Sequence, residues 1–261
     1  MTIPQRSLAA TLLLALVLAP KRCRGYNNGL GRLPALGWNG WCTDGPCQRD
    51  VCYETTVLEI ADAMVSSGMR ELGWEYVNLD DCWGSTERAA DGSLQANATR
   101  FPSGIKALAA AIHSKGLKLG MYTASGTTWC MHPWMEDGDR HIPGMWGHYA
   151  QDVATLVSWD IDYLKLDWCV GSPMPDGTEL NPFNVYPNVS KMLNESQRHI
   201  WFSACAGYAH PAYVGGPQKP GVIEAAASVQ SWRTGADHHD VWNETAKAIA
   251  SMAGKSNVSG P

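Results

Sequence analysis

Four aspartates have positions suited to carboxylate chemistry. Asp80 and Asp81 follow one apolar segment, Asp167 ends another, and Asp237 lies in a polar stretch after Arg233. Cleavage of a glycosidic bond needs two carboxyl groups, one as nucleophile or base and one as proton donor. This chemistry requires that two of the four side chains meet in the folded protein.

Asp167 is the predicted nucleophile. It ends the segment Tyr163-Leu164-Lys165-Leu166-Asp167. Because side chains alternate along a strand, Tyr163, Lys165 and Asp167 share one face. An ammonium group on that face favours the ionised carboxylate, which is the form that a nucleophile requires. A buried structural ion pair is the alternative interpretation.

Asp237 is the predicted acid/base. It lies in a segment that begins at Arg233 and continues into His238 and His239. An acid/base group must be protonated to donate to the leaving oxygen and ionised to accept a proton from water.

The pair Asp80-Asp81 admits three interpretations. With His238 and His239 it could form a metal site, since hard cations take carboxylates and zinc takes imidazoles. Neighbouring strand residues point apart, which disfavours the use of both histidines on one face. A helix cap or turn is the second interpretation. We favour the third, in which both carboxylates accept hydrogen bonds from sugar hydroxyls, and we predict no metal and no cofactor.

Strands and helices alternate along the chain, which predicts a parallel sheet. Polar residues gather after the predicted strand ends, where a parallel barrel builds its active site. A doubly wound open sheet is the rival, but the Gly-rich phosphate loop typical of it does not follow the first strand. We predict an α/β fold of the TIM (β/α)8 type with about six βα units present. Six strands do not close such a barrel. The predicted strands lie near 35–41, 76–79, 117–123, 163–167, 200–205 and 228–233, and the helices near 54–67, 105–114, 148–159, 185–198 and 242–253.

The N-terminal segment 1–25 is predicted to be a secretory signal. Arg6 precedes an apolar run from Leu8 to Ala19 that is too short to span a bilayer comfortably. Residues 26–261 are then the catalytic barrel domain. A secreted or lysosomal/vacuolar protein would also account for the Asn-x-Ser/Thr sequons, which start at Asn97, Asn188, Asn194, Asn243 and Asn257.

Eight cysteines fit an exported protein, in which they are expected to form disulfides. A zinc site is disfavoured because the sequence has no Cys-x-x-Cys pair.

The composition limits the classes of partner. A hydrophobic fraction of 45% over 261 residues is enough for a full core, and a net charge of −5 argues against nucleic acid or an anionic membrane as partner. Trp is abundant, with 12 residues against 3 Phe, and its flat apolar face suits sugar rings as well as cores. Four tryptophans could each stack on a sugar, and we favour the first of them: Trp38, Trp41, Trp83 and Trp168. The sequence is compatible with a homodimer and does not determine the oligomeric state.

Five stretches of the chain together are highly specific for one family. They are Leu36-Gly37-Trp38-Asn39, the run from Tyr76 through Asp80-Asp81-Cys82-Trp83, Arg100-Phe101-Pro102-Ser103-Gly104-Ile105, the run from His113 to Tyr122, and Tyr163-Leu164-Lys165-Leu166-Asp167. With these motifs the chain resembles family 27 of the glycoside hydrolases, the melibiase or α-galactosidase group.

The resemblance implies a (β/α)8 barrel and retaining hydrolysis of terminal α-linked galactosides in oligosaccharides, glycolipids or glycoproteins. It implies Asp167 as nucleophile and Asp237 as acid/base. Residues at positions that hold the galactose are Trp38, Asp80, Asp81, Tyr122, Lys165 and Arg233. The implied disulfides are Cys42–Cys82, Cys47–Cys52 and Cys130–Cys169.

Two departures from the family pattern matter. Where the family has Cys-Glu or Cys-Ser followed by Trp-Pro and reads the sugar 2-substituent, this chain has Ser203-Ala204-Cys205-Ala206-Gly207-Tyr208. The choice among α-galactosidase, α-N-acetylgalactosaminidase and β-L-arabinopyranosidase-like activity is therefore open. Relative to the family the chain is expected to be truncated at its C-terminus, without the last two barrel strands and the β domain. A catalytically inert galactose-binding fragment is the non-enzymatic alternative.

Overall fold

The computed structural model describes residues 28–41, 52–130, 141–169, 174–205, 228–233, 241–250 and 253. Within them, strands and helices alternate as the sequence predicts. The elements are β1 (Leu36–Asn39), α1 (Glu54–Ser66), β2 (Trp74–Asn78), α2 (Ile105–Ser114), β3 (Lys118–Ala124), α3 (Tyr149–Ser158), β4 (Tyr163–Asp167), α4 (Pro182–Glu195), β5 (Trp201–Ala204), β6 (Ser231–Trp232) and α5 (Trp242–Ala250). A short 3-10 turn, Arg70–Leu72, precedes β2.

The six strands form one parallel sheet in the order β1-β2-β3-β4-β5-β6. A doubly wound sheet reverses its strand order at a switch point, whereas this order follows the chain without a reversal. The sheet is therefore part of a barrel, and the prediction of an incomplete TIM-type barrel is confirmed. None of the helices in the described part of the chain is long and apolar enough to cross a membrane.

The outer face of the sheet packs against amphipathic helices. Leu164 and Leu166 of β4 are fully buried, while Tyr163, Lys165 and Asp167 on the opposite face are half-buried. In α2, the apolar side chains recur at helical spacing and are buried; they are Ile105, Leu108, Ala109 and Ile112. The alternation predicted for β4 is therefore present, and it leaves the polar residues on the inner face.

Local capping explains the largest difference at the start of a helix. Helix α4 begins at Pro182, three residues before the predicted start, because Asn181 caps it: the Asn181 side chain accepts a hydrogen bond of 2.9 Å from the Phe183 N–H. Proline is tolerated in the first turn, where its missing N–H has no intrahelical acceptor. Helix α2 ends as predicted, with Gly116 at a φ of 73° just beyond it.

The inner face is filled by aromatic rings beneath the carboxyl ends of the strands. Tyr76 lies 5.9 Å from Tyr163 and 6.2 Å from Trp201 between ring centroids, and Tyr163 stacks on Trp201 at 6.3 Å. Above this layer, Asn78 occupies the space beside Gly120, where any Cβ would overlap Asn78 Oδ1. The inner face is therefore closed below, and the polar side chains lie above this floor.

A buried ion pair joins the loop after β2 to α3. Arg88 binds both oxygens of Asp152, at 2.6 and 2.8 Å, and Asp152 is fully buried. The same guanidinium donates to the carbonyls of Gly92 and Gly144 at 2.8 and 2.7 Å. Burial raises the pKa of Asp152, and the Arg88 guanidinium opposes that shift without cancelling it. Arg88 therefore fixes two loops at the carboxyl end of the sheet.

The N-terminal cysteine pairing differs from the one implied by the family resemblance. The structure joins Cys52, just before α1, to Cys82, just after β2, with Cα atoms 6.0 Å apart. That separation is normal for a disulfide. Because each sulfur forms one disulfide, this bond is incompatible with both expected pairs, Cys42–Cys82 and Cys47–Cys52. Cys42 and Cys47 lie outside the described residues.

Candidate active site

The register of the sheet places inner-face residues in two rows at the carboxyl end. Tyr122 pairs with Lys165, Lys165 with Ser203, and Ser203 with Ser231. Two residues further along the strands, at the next inward-facing position, Ala124 pairs with Asp167. Backbone bonds Cys205 N–H to Leu166 O (3.1 Å) and Arg233 N–H to Ala204 O (2.9 Å) continue the register. The lower row is Tyr122, Lys165, Ser203 and Ser231, and the upper row is Ala124, Asp167, Cys205 and Arg233.

Lys165 links the lower row to the end of β2. Its Nζ lies 2.8 Å from Asp80 Oδ2 and 4.9 Å from the ring centroid of Tyr122. Asp80 is 2% exposed, so its carboxylate depends on this ammonium for compensation. Asp81, also buried, donates its backbone N–H to Asp80 Oδ1 at 3.1 Å.

The charges around Lys165 keep it protonated. Burial alone would lower its pKa, but the carboxylates of Asp80 and Asp167 outweigh burial, and the pKa is raised. Lys165 therefore keeps its positive charge. It lies two residues before Asp167 on the same inward face of β4.

Asp167 is held on two sides and remains half-buried. Its Oδ1 accepts a hydrogen bond of 2.8 Å from the Trp168 N–H. Its backbone carbonyl accepts from both the N–H and the hydroxyl of Ser125, each at 2.9 Å. The side chain is therefore oriented without being sealed into the core, as a nucleophile requires.

Tyr122 lies among three carboxylates. Burial and the charges of Asp167, Asp81 and Asp80 raise its pKa well above the ordinary value for tyrosine. The hydroxyl therefore stays protonated, and it lies 3.8 Å from Cys169 Sγ.

A disulfide flanks the carboxylate of Asp167. Cys130 and Cys169 are bonded, with Cα atoms 5.0 Å apart, which is the pair implied by the family resemblance. Both sulfurs and a carboxylate oxygen of Asp167 lie within 4.8 Å of one another.

Cys205 is a buried free thiol in the upper row, on the other side of Asp167. Arg233 Nη1 donates to its sulfur at 3.4 Å. Burial, together with the charge of Asp167, raises the pKa of Cys205 to about 12. The residue that the sequence marked as a departure from the family pattern thus lies beside the predicted nucleophile.

Trp41 is a tryptophan in contact with the site, and Trp38, which the sequence favours for stacking on a sugar, stays a prediction. Lys165 Nζ lies 5.8 Å from the Trp41 ring centroid, and Trp41 N–H donates to Asn39 Oδ1 at 2.8 Å. Trp38 pairs in register with Val77, which is fully buried, and packs against the core. Trp41 follows the carboxyl end of β1, which is the position that made it a candidate for sugar stacking in the sequence.

Two further tryptophans near the strand ends pack on aromatic neighbours. Trp83 is fully buried, donates its indole N–H to Tyr122 O at 2.9 Å and lies 5.0 Å from the Trp129 ring. Trp168 packs on Tyr186 at 5.8 Å. The abundance of Trp therefore reflects core packing around the site as well as the site itself.

Asp237, His238 and His239 lie outside the described residues. The role predicted for Asp237 and the alternative metal site with the two histidines therefore stay predictions. Asp80, Asp81, Tyr122, Lys165, Asp167 and Arg233 are brought together at one end of the sheet.

Comparison with known proteins identifies the family of the chain. The sequence model of a family described as alpha galactosidase A matches residues 33–259. The chain is 43% identical to "Alpha-galactosidase 2" of Arabidopsis thaliana over 217 residues, which cover 83% of this chain and 48% of that protein. It is 36% identical over 228 residues to "Alpha-galactosidase A" of Homo sapiens, covering 84% of this chain and 48% of the human protein.

The fold agrees as well. The crystal structure of alpha-galactosidase I from Mortierella vinacea superposes with a TM-score of 0.66 at 34% identity, covering 82% of this chain and 48% of that one. The chain spans about half the length of the curated relatives it matches. On the family match and these identities, the chain belongs to the α-galactosidase (melibiase) family of glycoside hydrolases.

Proposed function

We propose that the protein is a retaining glycoside hydrolase that removes terminal α-linked galactose from oligosaccharides, glycolipids or glycoproteins. The observation that carries this proposal is the position of Asp167. It is a half-buried, oriented carboxylate above the Asp80–Lys165 ion pair, at the carboxyl end of parallel strands. The names of the relatives support the same activity.

In the proposed mechanism, Asp167 attacks the anomeric carbon and forms a covalent glycosyl-enzyme. Asp237 protonates the leaving oxygen and then takes a proton from the water that hydrolyses the intermediate. Retaining enzymes place the two carboxyl groups about 5 Å apart. Asp237 is four positions after Arg233 in the sequence, and the Arg233 N–H donates to the Ala204 carbonyl of β5 in the upper row. The proposal requires that the Asp237 carboxyl group lies at this distance from Asp167.

The remaining side chains suit the binding of a sugar. Asp80 and Asp81 present acceptors for hydroxyl groups, and Lys165 and Tyr122 present donors. The face of Trp41 offers an apolar platform for a pyranose ring, and Trp38 is the alternative platform. This chemistry needs no cofactor.

The test is hydrolysis of a nitrophenyl α-galactoside by the full-length protein. Asp167→Ala should lower kcat by about 10³-fold or more, because the covalent step is lost. Asp176→Ala, which removes an exposed loop carboxylate, is the matched control and should leave the rate unchanged. Wild-type rates in Asp167→Ala rule out the assignment. Galactose affinity without turnover in the wild type favours the inert binding fragment.

Because of Cys205, we also propose two alternative substrate classes, α-N-acetylgalactosaminides and β-L-arabinopyranosides. The small thiol of Cys205 lies in the upper row, where the family reads the 2-substituent, and it is held by Arg233. Parallel assays on an α-galactoside, an α-N-acetylgalactosaminide and a β-L-arabinopyranoside decide among the three activities. The highest kcat/KM among the three substrates identifies the substrate class.

We further propose that the protein acts in the secretory pathway, either outside the cell or in a lysosome or vacuole. The two disulfides support this location. Asn188 and Asn194 of the sequons lie exposed on α4. Peptide-N-glycosidase treatment of protein from its native source, read by mass, tests the proposal. Homodimer formation stays a prediction that sedimentation would check.

A further inference from the structure

The disulfide beside Asp167 places two sulfurs and a carboxylate in one small cluster. Cys130 Sγ, Cys169 Sγ and an Asp167 oxygen lie within 4.8 Å of one another, and all three residues are half-buried. In the oxidised protein the two sulfurs are bonded to each other and are poor ligands, because the thiolate is the metal-binding form of cysteine. Reduction changes what this cluster can bind.

We propose that reduction of the Cys130–Cys169 disulfide creates a site for a thiophilic divalent cation of the zinc class, with Cys130, Cys169 and Asp167 as ligands. A small dithiol supplies two electrons and two protons, so that the disulfide becomes two thiols and the reductant becomes a cyclic disulfide. The cation then replaces the two thiol protons, which are released to solvent.

The distances suit such an ion. Zinc binds sulfur at about 2.3 Å and carboxylate oxygen at about 2.0–2.2 Å, so tetrahedral donors lie about 3.5–3.8 Å apart. Donors that start within 4.8 Å of one another reach this geometry by side-chain rotation, and the Cα atoms of the two cysteines are only 5.0 Å apart. Two sulfurs and one carboxylate leave the fourth position for water.

The surroundings hold the ligands in place. Trp168 N–H already orients the Asp167 carboxylate at 2.8 Å, and Ser125 fixes the Asp167 carbonyl. The Tyr122 hydroxyl lies 3.8 Å from Cys169 Sγ and can donate to that sulfur once it is a thiolate. Bound metal would occupy the Asp167 carboxylate. On the proposed function, this makes the reduced enzyme sensitive to inhibition by zinc, and the oxidised enzyme insensitive.

Metal binding is measured without reference to activity. The full chain is reduced with a dithiol, freed of reductant under inert gas and titrated with Co²⁺, whose thiolate complexes absorb in the near ultraviolet. We expect one Co²⁺ per chain with a thiolate band, and no such band in the oxidised protein. The band should vanish in Cys130→Ser/Cys169→Ser and persist in Cys205→Ser. A band that is unchanged in the double variant overturns the proposal.

The carboxylate ligand is tested separately. Asp167→Asn should weaken Co²⁺ binding by about tenfold or more, since even groups that only orient a ligand contribute about 10–100-fold. Asp176→Asn, an exposed carboxylate in a loop, is the matched control and should bind as the wild type does. Equal affinity in Asp167→Asn and the wild type overturns the assignment.

A second variant removes the need for reduction. Cys130→His leaves three ligands and no disulfide between these positions, so the oxidised chain should bind Co²⁺ with a single thiolate. Near-ultraviolet circular dichroism reports whether each protein is folded. A folded Cys130→His protein without a Cys169-dependent band overturns the proposal. The proposal is also overturned if the reduced wild-type chain loses its near-ultraviolet dichroism and does not regain it when metal is added. Wild-type hydrolysis by Asp167→Ala would overturn the proposed function and leave these metal-binding results unaffected, so the two proposals fail separately.

Discussion

Lys165 and Asp80 form an ion pair that passes over the ring of Tyr122. Lys165 lies on β4 and Asp80 follows β2, while Tyr122 is the residue of β3 in register with Lys165. Nζ lies 2.8 Å from Asp80 Oδ2 and 4.9 Å from the ring centroid. Since adjacent strands lie about 4.8 Å apart, the pair spans about two strand spacings. The contact ties three strands together at the candidate site.

Loss of the ammonium should destabilise the protein. Lys165→Met leaves the Asp80 carboxylate buried without its cation, and removal of one partner of a buried pair costs about 3–5 kcal/mol in free energy of unfolding. We expect a loss at the lower end of that range, because 23% of the surface of the Lys165 side chain is exposed to solvent. Urea unfolding measures the change. Lys191→Met, from an exposed pair with Glu195, is the control and should unfold as the wild type does. Equal midpoints for the two variants would contradict the prediction.

The Arg88–Asp152 pair should show strong coupling in a double-mutant cycle. Arg88→Met or Asp152→Leu alone leaves one buried charge, so each should lower the free energy of unfolding by about 3 kcal/mol. The double variant should be less destabilised than the sum of the two, because neither charge remains. If the losses in free energy of unfolding are additive, the two side chains are not coupled and the prediction is wrong. Glu71→Ala, which removes an exposed ion-pair partner of Arg70, should change nothing measurable.

The same pair predicts the sign of a pH effect. The pKa of Asp152 is raised by burial in the folded state. The native state therefore holds the proton more tightly than the unfolded chain, and the contribution of this group to stability decreases as pH rises through the folded pKa. Asp152→Asn cannot ionise and should lose this component of the pH dependence. Identical pH profiles of unfolding for the two proteins would contradict this sign.

Cys205 should react slowly with alkylating agents. Its pKa is raised to about 12, mainly by burial, so the thiolate fraction at pH 8 is far below that of an ordinary cysteine. Relative to an ordinary thiol with a pKa of about 8.5, the thiolate fraction falls by about two-thousandfold, and the alkylation rate falls with it. Iodoacetamide labelling of folded and urea-unfolded protein, read by peptide mass, measures this ratio. Cys205→Ser identifies the peptide, and similar rates in both states would refute the expectation.

Gly120→Ala should be destabilising because of Asn78. A Cβ at position 120 overlaps Asn78 Oδ1, and overpacking of this kind costs about 1–3 kcal/mol. Asn78→Ala in the same chain removes the overlapping amide and should restore part of the loss. Thermal unfolding of the single and double variants measures these changes in stability. A double variant less stable than Gly120→Ala would contradict the steric explanation.

Much of the fold could be predicted from local patterns. The alternation of Leu164 and Leu166 with Lys165 and Asp167 gave both faces of β4, because strand periodicity is a property of neighbouring residues. Helix α2 was predicted with its observed bounds from apolar spacing and Gly116. Apolar spacing alone places the start of α4 three residues late, because the Asn181 cap and Pro182 extend the helix beyond its apolar pattern.

The partners across the site could not be predicted in the same way. The sequence alone determined which residue types lie at the carboxyl ends of the strands, since periodicity and turn residues act over a few positions. Only the tertiary structure decided that Cys52 bonds Cys82, that Lys165 lies near the Trp41 ring, and that Lys165 reaches Asp80. The physical reason is that these contacts depend on the strand register and loop paths between segments distant in the chain, which local patterns do not specify.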